Sequence, residues 1–133
     1  MTRYMLDTNI LSDLIKNPRG RAAARIEKVG EGDICTSIIV AAELRYGCAK
    51  KGSPRLRKVV EDILGEMTVL AFDAPADVEY GRLRAELEAA GLTIGGNDLL
   101  IASHARAVGA TIVTANLQEF TRVNGLKVEN WLA

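Results

Sequence analysis

The sequence predicts an α/β fold, a parallel central sheet of about five strands with helices on both faces. Three observations predict it. Short, β-branched apolar runs alternate with helix-length amphipathic segments along the whole chain. No linker, low-complexity stretch or internal repeat interrupts that alternation, so residues 1–133 read as one domain. Hydrophobic residues make up 48% of the chain and charged residues 26%, which supports a core and excludes long disorder.

The elements follow in order. Tyr4-Met5-Leu6 is a short apolar strand. Asp7 or Thr8 caps a helix running through Leu14 and Ile15, which Asn17-Pro18-Arg19-Gly20 ends. A second helix spans Ala22 to Val29 and closes at Gly30 and Gly32. Ile34-Cys35-Thr36 reads as a buried strand, and Ser37 caps a helix from Ile38 to about Ala49. That helix is expected to turn Val40, Leu44 and either Tyr46 or Gly47 toward the core.

Ser53-Pro54 opens the next helix, since proline suits the first helical position. Val59, Val60, Ile63 and Leu64 form its apolar stripe. A strand at Thr68–Phe72 precedes a long helix from Ala74-Pro75-Ala76 through Val78, Leu83, Leu87 and Ala90, ended by Gly91. Gly95-Gly96-Asn97-Asp98 turns into a helix from Leu99 to Val108. Ala110–Thr114 is a further strand, and Leu126–Glu129 a last edge strand.

Lys+Arg and Asp+Glu both total 17, so the net charge is zero and excludes a uniformly basic nucleic-acid binder. The distribution is uneven. Arg45, Lys50, Lys51, Arg55, Arg57 and Lys58 form a run without an intervening acid, readable as a solvated surface or as a phosphate-tracking patch. Two cysteines, Cys35 and Cys48, suit free thiols in a reducing cytosol better than a disulfide framework. No run approaches the length of a membrane span, and no apolar leader segment follows the start. A cytoplasmic protein that does not enter the membrane is the expectation.

In open α/β sheets, sites form beyond the carboxyl ends of the strands. Asp7 stands directly after the first strand. Asp98 begins a helix after a Gly-Gly-Asn turn. Glu43 sits among Val40, Ala41, Ala42 and Leu44, where an unpaired buried carboxylate would be costly. Each has an ordinary alternative: Asp7 as a helix cap, Asp98 as a first-turn acid, Glu43 as a surface residue or a partner of Arg45 or Lys50.

Together they mean more. Two unit charges about 4 Å apart interact by roughly 4 kcal/mol at an effective dielectric of 20. A converging acid cluster therefore needs protons, basic partners or a cation, and all-oxygen ligands select hard ions such as Mg²⁺ or Mn²⁺. Asn116 and Glu119 lie at the same expected sheet edge, able to hold a metal-bound water or to add a fourth acid. Thr8, Asn9 and Thr114 are candidates for positioning those groups or for simple turn chemistry.

Other chemistries lack their residues. His104, the one histidine, falls in an alanine-rich helix and reads as a packed or surface residue. No zinc spacing, nucleophile elbow or P-loop is present, and Gly95-Gly96 does not complete a dinucleotide fingerprint.

Four segments carry a family resemblance. Met5-Leu6-Asp7-Thr8-Asn9, Ala42-Glu43-Leu44-Arg45-Tyr46-Gly47, Ile94 through Ala102, and Val113-Thr114-Ala115-Asn116 with Glu119-Phe120 resemble the PIN-domain toxins of VapBC toxin–antitoxin modules. The likeness spans the chain in order and ends with Val128-Glu129-Asn130-Trp131. It implies a PIN-like three-layer α/β/α domain and a Mg²⁺- or Mn²⁺-dependent endoribonuclease, the toxin of a type II pair, cutting structured RNA such as tRNA or rRNA and so inhibiting translation. Asp7, Glu43 and Asp98 match the family's central acids and are the expected metal ligands. Asn116 stands where an Asp is frequent, with Glu119 able to compensate. A VapB-type antitoxin and a homodimer are the implied partners. Arg45, Lys50 and Lys51 are the expected RNA contacts.

Three alternatives remain at this stage. One is a PIN-like module that binds RNA or a partner without cutting. Another is an aspartyl-phosphate phosphatase with Asp7 as nucleophile, since Leu6-Asp7-Thr8-Asn9 is loosely similar to an Asp-x-Asp opening. The third is a phosphorylatable receiver domain, which would need paired acids after the first strand.

Overall fold

The computed structural model describes residues 2–133. Strand β1 (Tyr4–Leu6) leads into α1 (Thr8–Lys16) and α2 (Arg21–Val29). A 3₁₀ turn (Glu31–Asp33) precedes β2 (Ile34–Ser37), α3 (Ile38–Lys51) and α4 (Pro54–Gly65). Then come β3 (Thr68–Leu70), α5 (Ala76–Ala90), α6 (Gly96–Val108), β4 (Thr111–Val113), α7 (Leu117–Phe120) and β5 (Val128–Glu129). The five strands form one parallel sheet in the order β3-β2-β1-β4-β5, the fold class expected from the sequence.

The central strands are buried and largely apolar, as suits strands covered on both faces. Met5, Leu6, Ile112 and Val113 are all fully buried. Leu6 pairs in register with Thr36 on one side and with Val113 on the other. Strands β1 and β4 therefore end level and β2 runs one residue further, so Asp7, Ser37 and Thr114 lie along one edge. The Thr36 hydroxyl donates to the Leu6 carbonyl at 2.7 Å and ties that edge together.

Local chemistry explains the boundaries. Ser37 and Ser53 cap α3 and α4, accepting from the Ile39 and Leu56 amides at 3.1 and 3.2 Å. Gly91 ends α5 in the left-handed region, φ 69°, where a side chain would be strained. Strand β3 is shorter than Thr68–Phe72 because its partner β2 ends at Ser37, opposite Leu70, leaving Ala71 and Phe72 unpaired. Strand β4 is likewise trimmed by the three-residue β1.

Helix α6 starts at Gly96 rather than Leu99, because the Gly95 carbonyl already accepts from the Leu99 amide at 2.8 Å. In α3 the buried face is Val40, Ala41, Leu44 and Cys48. Of the two alternatives, Tyr46 or Gly47, Tyr46 does not face inward, since it is 66% exposed, and Gly47 is half-buried. Tyr46 lies two residues past Leu44, which turns it to the opposite side of the helix.

The chain's last residues close the core. Trp131 is buried, with its ring centroid 5.2 Å from that of Tyr4 and the Arg25 guanidinium 5.1 Å above it, within the range of a cation–π contact.

Candidate active site

Asp7 caps α1 through the Thr8 amide at 2.8 Å, but the cap uses only one of its oxygens. The other accepts from the Thr114 hydroxyl at 2.8 Å and from Asn9 Nδ2 at 3.2 Å. Asn9 in turn accepts from the Ala115 amide at 2.9 Å, lashing α1 to the end of β4. Asp7 is 3% exposed, and burial raises its carboxyl pKa against these donors, with the Glu43 charge adding to the rise. Both causes disfavour the charged form.

Glu43 faces the same mouth from the middle of α3. Its carboxylate is held at both oxygens, by the Thr8 hydroxyl at 2.6 Å and by Asn97 Nδ2 at 3.2 Å. Neither Arg45 nor Lys50 pairs with it: Arg45 is held in a two-point bond by Glu61, at 2.9 Å for each contact.

Asp98 sits in the first turn of α6. Asn116 Nδ2 donates to it at 2.9 Å and to Glu119 at 2.7 Å. Glu119 reaches back from α7 to the Gly95 amide at 3.1 Å, so α7 is fastened to the start of α6. Burial first, then the hydrogen bond to Glu119 and the charges of Asp7 and Glu119, push the Asp98 carboxyl up to about 7. That same hydrogen bond holds Glu119 below the usual glutamate range. Of the two acids, Asp98 is therefore the one that takes up a proton more readily.

These residues border a cleft of about 570 Å³ at the carboxyl edge of the sheet, lined among others by Asp7, Glu43, Asp98 and Asn116. The expected acids are therefore brought to one mouth, with Glu119 behind Asn116. Among the described residues, no three acidic, histidine or cysteine side chains stand close enough to hold an ion as placed. They meet as the Asp98–Glu119 pair and as Asp7 and Glu43 bridged by Thr8. The donor set is nonetheless oxygen only and rich in carboxylate, which is the chemistry of a hard divalent ion.

Sequence reasoning missed four contributors. Asn97 holds Glu43, while Ser12, Asp13 and Lys16 line the cleft. The signal for the last three was available. Asn9, Ser12, Asp13 and Lys16 recur at helical spacing opposite Ile10, Leu11, Leu14 and Ile15, a polar stripe on one face of α1.

Of the expected RNA contacts, Lys51 borders an adjoining groove with Glu43 and Thr8, whereas Arg45 faces a separate cleft between α3 and α4. Lys50 is exposed. Cys35 and Cys48 are buried and unpaired, and burial pushes the Cys35 pKa up to about 11. A thiol held protonated in this way is inert. His104 is packed, 1% exposed, with its Nδ1 at 2.7 Å from the Ser37 hydroxyl.

A PIN domain model matches residues 4–126. The chain belongs to the PIN-domain family, in its VapC branch. Ribonuclease VapC2 of Haemophilus influenzae is 41% identical, over 99% of this PIN domain and 100% of that protein. The tRNA(fMet)-specific endonuclease VapC of Shigella flexneri is also 41% identical, over 98% and 99% of the two chains. Among solved structures, VapBC2 of Rickettsia felis, bound to a DNA fragment from its promoter, superimposes with a TM-score of 0.90. It is 41% identical and covers 98% of this PIN domain and 99% of its own chain.

Proposed function

We propose that this chain is a metal-dependent endoribonuclease and the toxin of a type II toxin–antitoxin pair. The observation that carries the reading is the gathering of Asp7, Glu43 and Asp98, from three separate elements, at one mouth beyond the strand ends. The relatives named as ribonucleases, and their solved VapBC complexes, support RNA as substrate and a VapB-type protein as partner.

In this reading Asp7, Glu43 and Asp98 hold Mg²⁺ or Mn²⁺, directly or through water. The ion supplies polarisation of the phosphate and an activated water for in-line attack. Thr8 and Asn97 fix the Glu43 carboxylate, and Thr114 and Asn9 fix that of Asp7. Asn116 aims Asp98 and Glu119, and Glu119 takes the place of the fourth acid. Asp98 would hold the ion as its carboxylate. Lys50 and Lys51 extend the contact to the RNA backbone.

Cutting tRNA or rRNA would stop translation, so the natural setting is the cytoplasm with an antitoxin present. A homodimer is the assembly expected of the family. Among the described residues, no helix is long and apolar enough to cross a membrane.

The test is cleavage of total cellular RNA by the purified chain with Mg²⁺ or with EDTA, beside Asp98→Ala. Discrete cuts that need Mg²⁺ and vanish in the variant are expected. A folded, antitoxin-free preparation that binds RNA but never cuts would replace this reading with that of a binding module.

A further inference from the structure

The acidic mouth does not end at the acids. A second cleft, of about 580 Å³, opens beside it between the end of α1 and the start of α2. The two share Asp13, Lys16 and Leu132 in their walls, so they lie side by side. The character of the wall changes from one to the other. The mouth is carboxylate-lined, whereas the second cleft carries Lys16, Arg19 and Arg21. Among the described residues, none of these three is in a salt bridge. The only side-chain hydrogen bond they make is a long one, 3.5 Å, from Arg21 to the Leu132 carbonyl. Asp13 is the single acid among them, and its carboxylate is occupied by Asn17 Nδ2 at 2.9 Å.

The other basic run of the chain is partly paired: Arg45 with Glu61 and Lys58 with Asp62, while among the described residues Lys50, Lys51, Arg55 and Arg57 are in no salt bridge. Arg45 and Arg57 line a cleft that includes none of the mouth's acids.

A polyanion crossing a carboxylate-lined site needs cations on its flank, since the acids repel every phosphate not held at the metal. We propose that Lys16, Arg19 and Arg21 form the track that holds the RNA phosphates next to the scissile one, so that the strand runs from the acids along the α1–α2 cleft. Lys16 is the hinge of the track, bordering both clefts. Arg19 and Arg21 carry the strand outward. The track rests on the ribonuclease reading and specifies which side of the mouth the substrate occupies.

The experiment compares the wild-type chain, the triple variant Lys16→Gln/Arg19→Gln/Arg21→Gln, and a charge-matched control, Arg55→Gln/Arg57→Gln/Lys58→Gln. Binding of a fluorescein-labelled RNA stem-loop is followed by anisotropy in EDTA over a range of salt. Cleavage of the same RNA by wild type in Mg²⁺ runs alongside. Each lost phosphate contact flattens the plot of log affinity against log salt by about 0.7 in a single-stranded stretch and about 0.9 in a duplex. The α1–α2 variant should therefore give a slope shallower by about 2–3, and the control should match wild type. An unchanged slope in the α1–α2 variant, or an equal loss in both variants, overturns the track while wild-type cleavage leaves the ribonuclease reading intact. A wild-type chain that neither binds nor cuts overturns both.

Discussion

The amide of Asn116 stands between two acids, 2.9 Å from Asp98 and 2.7 Å from Glu119, and donates to both. An aspartate of the same shape there would lose two donors and add a negative charge beside Asp98 and Glu119. Hydrogen bonds to charged groups are each worth about 1.5–3 kcal/mol. Asn116→Asp should therefore cost the metal-free protein about 2 kcal/mol or more, and Mg²⁺ should recover more of that loss than it adds to wild type. Calorimetric melting with and without Mg²⁺ measures both; an equal Mg²⁺ effect on the two proteins would refute the bridging role.

Thr8→Val tests the hold on Glu43. The valine keeps the volume and removes the hydroxyl that donates to Glu43 at 2.6 Å, while Asn97 still holds the other oxygen. Groups that orient metal ligands are typically worth about 10–100-fold in affinity or activity. Cleavage should drop within that range with the fold retained, and higher Mg²⁺ should restore part of it. Full activity at limiting Mg²⁺ would show that Glu43 needs no orientation.

His104 sets a pH dependence of stability. Burial lowers its pKa, against the pull of the Asp73 charge and the Ala71 carbonyl, so the folded ring stays neutral. The unfolded chain takes up the proton near the ordinary value of about 6.5. Below that pH the unfolded state binds more protons than the folded one, and stability falls as pH drops. Urea unfolding at pH 7.5 and pH 5.5 should show a larger loss for wild type than for His104→Gln. The same loss in both would clear His104 of any part in it.

Ser53→Ala removes the cap that accepts from the Leu56 amide. Loss of such a cap costs about 1 kcal/mol. Urea unfolding should register that amount, with no change in RNA cleavage, because α4 contributes no side chain to the mouth's lining.

Residues whose local chemistry decides their place were legible in the sequence. Asp7, Ser37 and Ser53 are caps whichever tertiary neighbours they meet, and Gly91 needs only its positive φ. Glu43 and Asp98 stood out because a carboxylate in an apolar helix, or at a helix start beyond a strand, needs a reason. What the sequence hid depends on distant segments. Asn97 reaches Glu43 across 54 residues, and Glu119 reaches Gly95 across 24. Helix α7, four residues long, has no period to read. The basic run from Arg45 looked free of acids because Glu61 and Asp62 lie just past its end, yet the packing of α4 on α3 and the i,i+4 spacing bring them onto Arg45 and Lys58.

Strand β1 occupies the middle of the sheet, between β2 and β4, although it is the first strand of the chain. During synthesis its neighbour β2 emerges early, but its other neighbour waits until Thr111–Val113 has been made. Asp98 and Asn116 leave the ribosome later still than Asp7 and Glu43, separated from them by α4, β3 and α5. Asp7 gains its Thr114 hydrogen bond only after β4 docks. The mouth therefore cannot assemble on a half-made chain. A ribosome producing this protein holds an incomplete site for most of the elongation time.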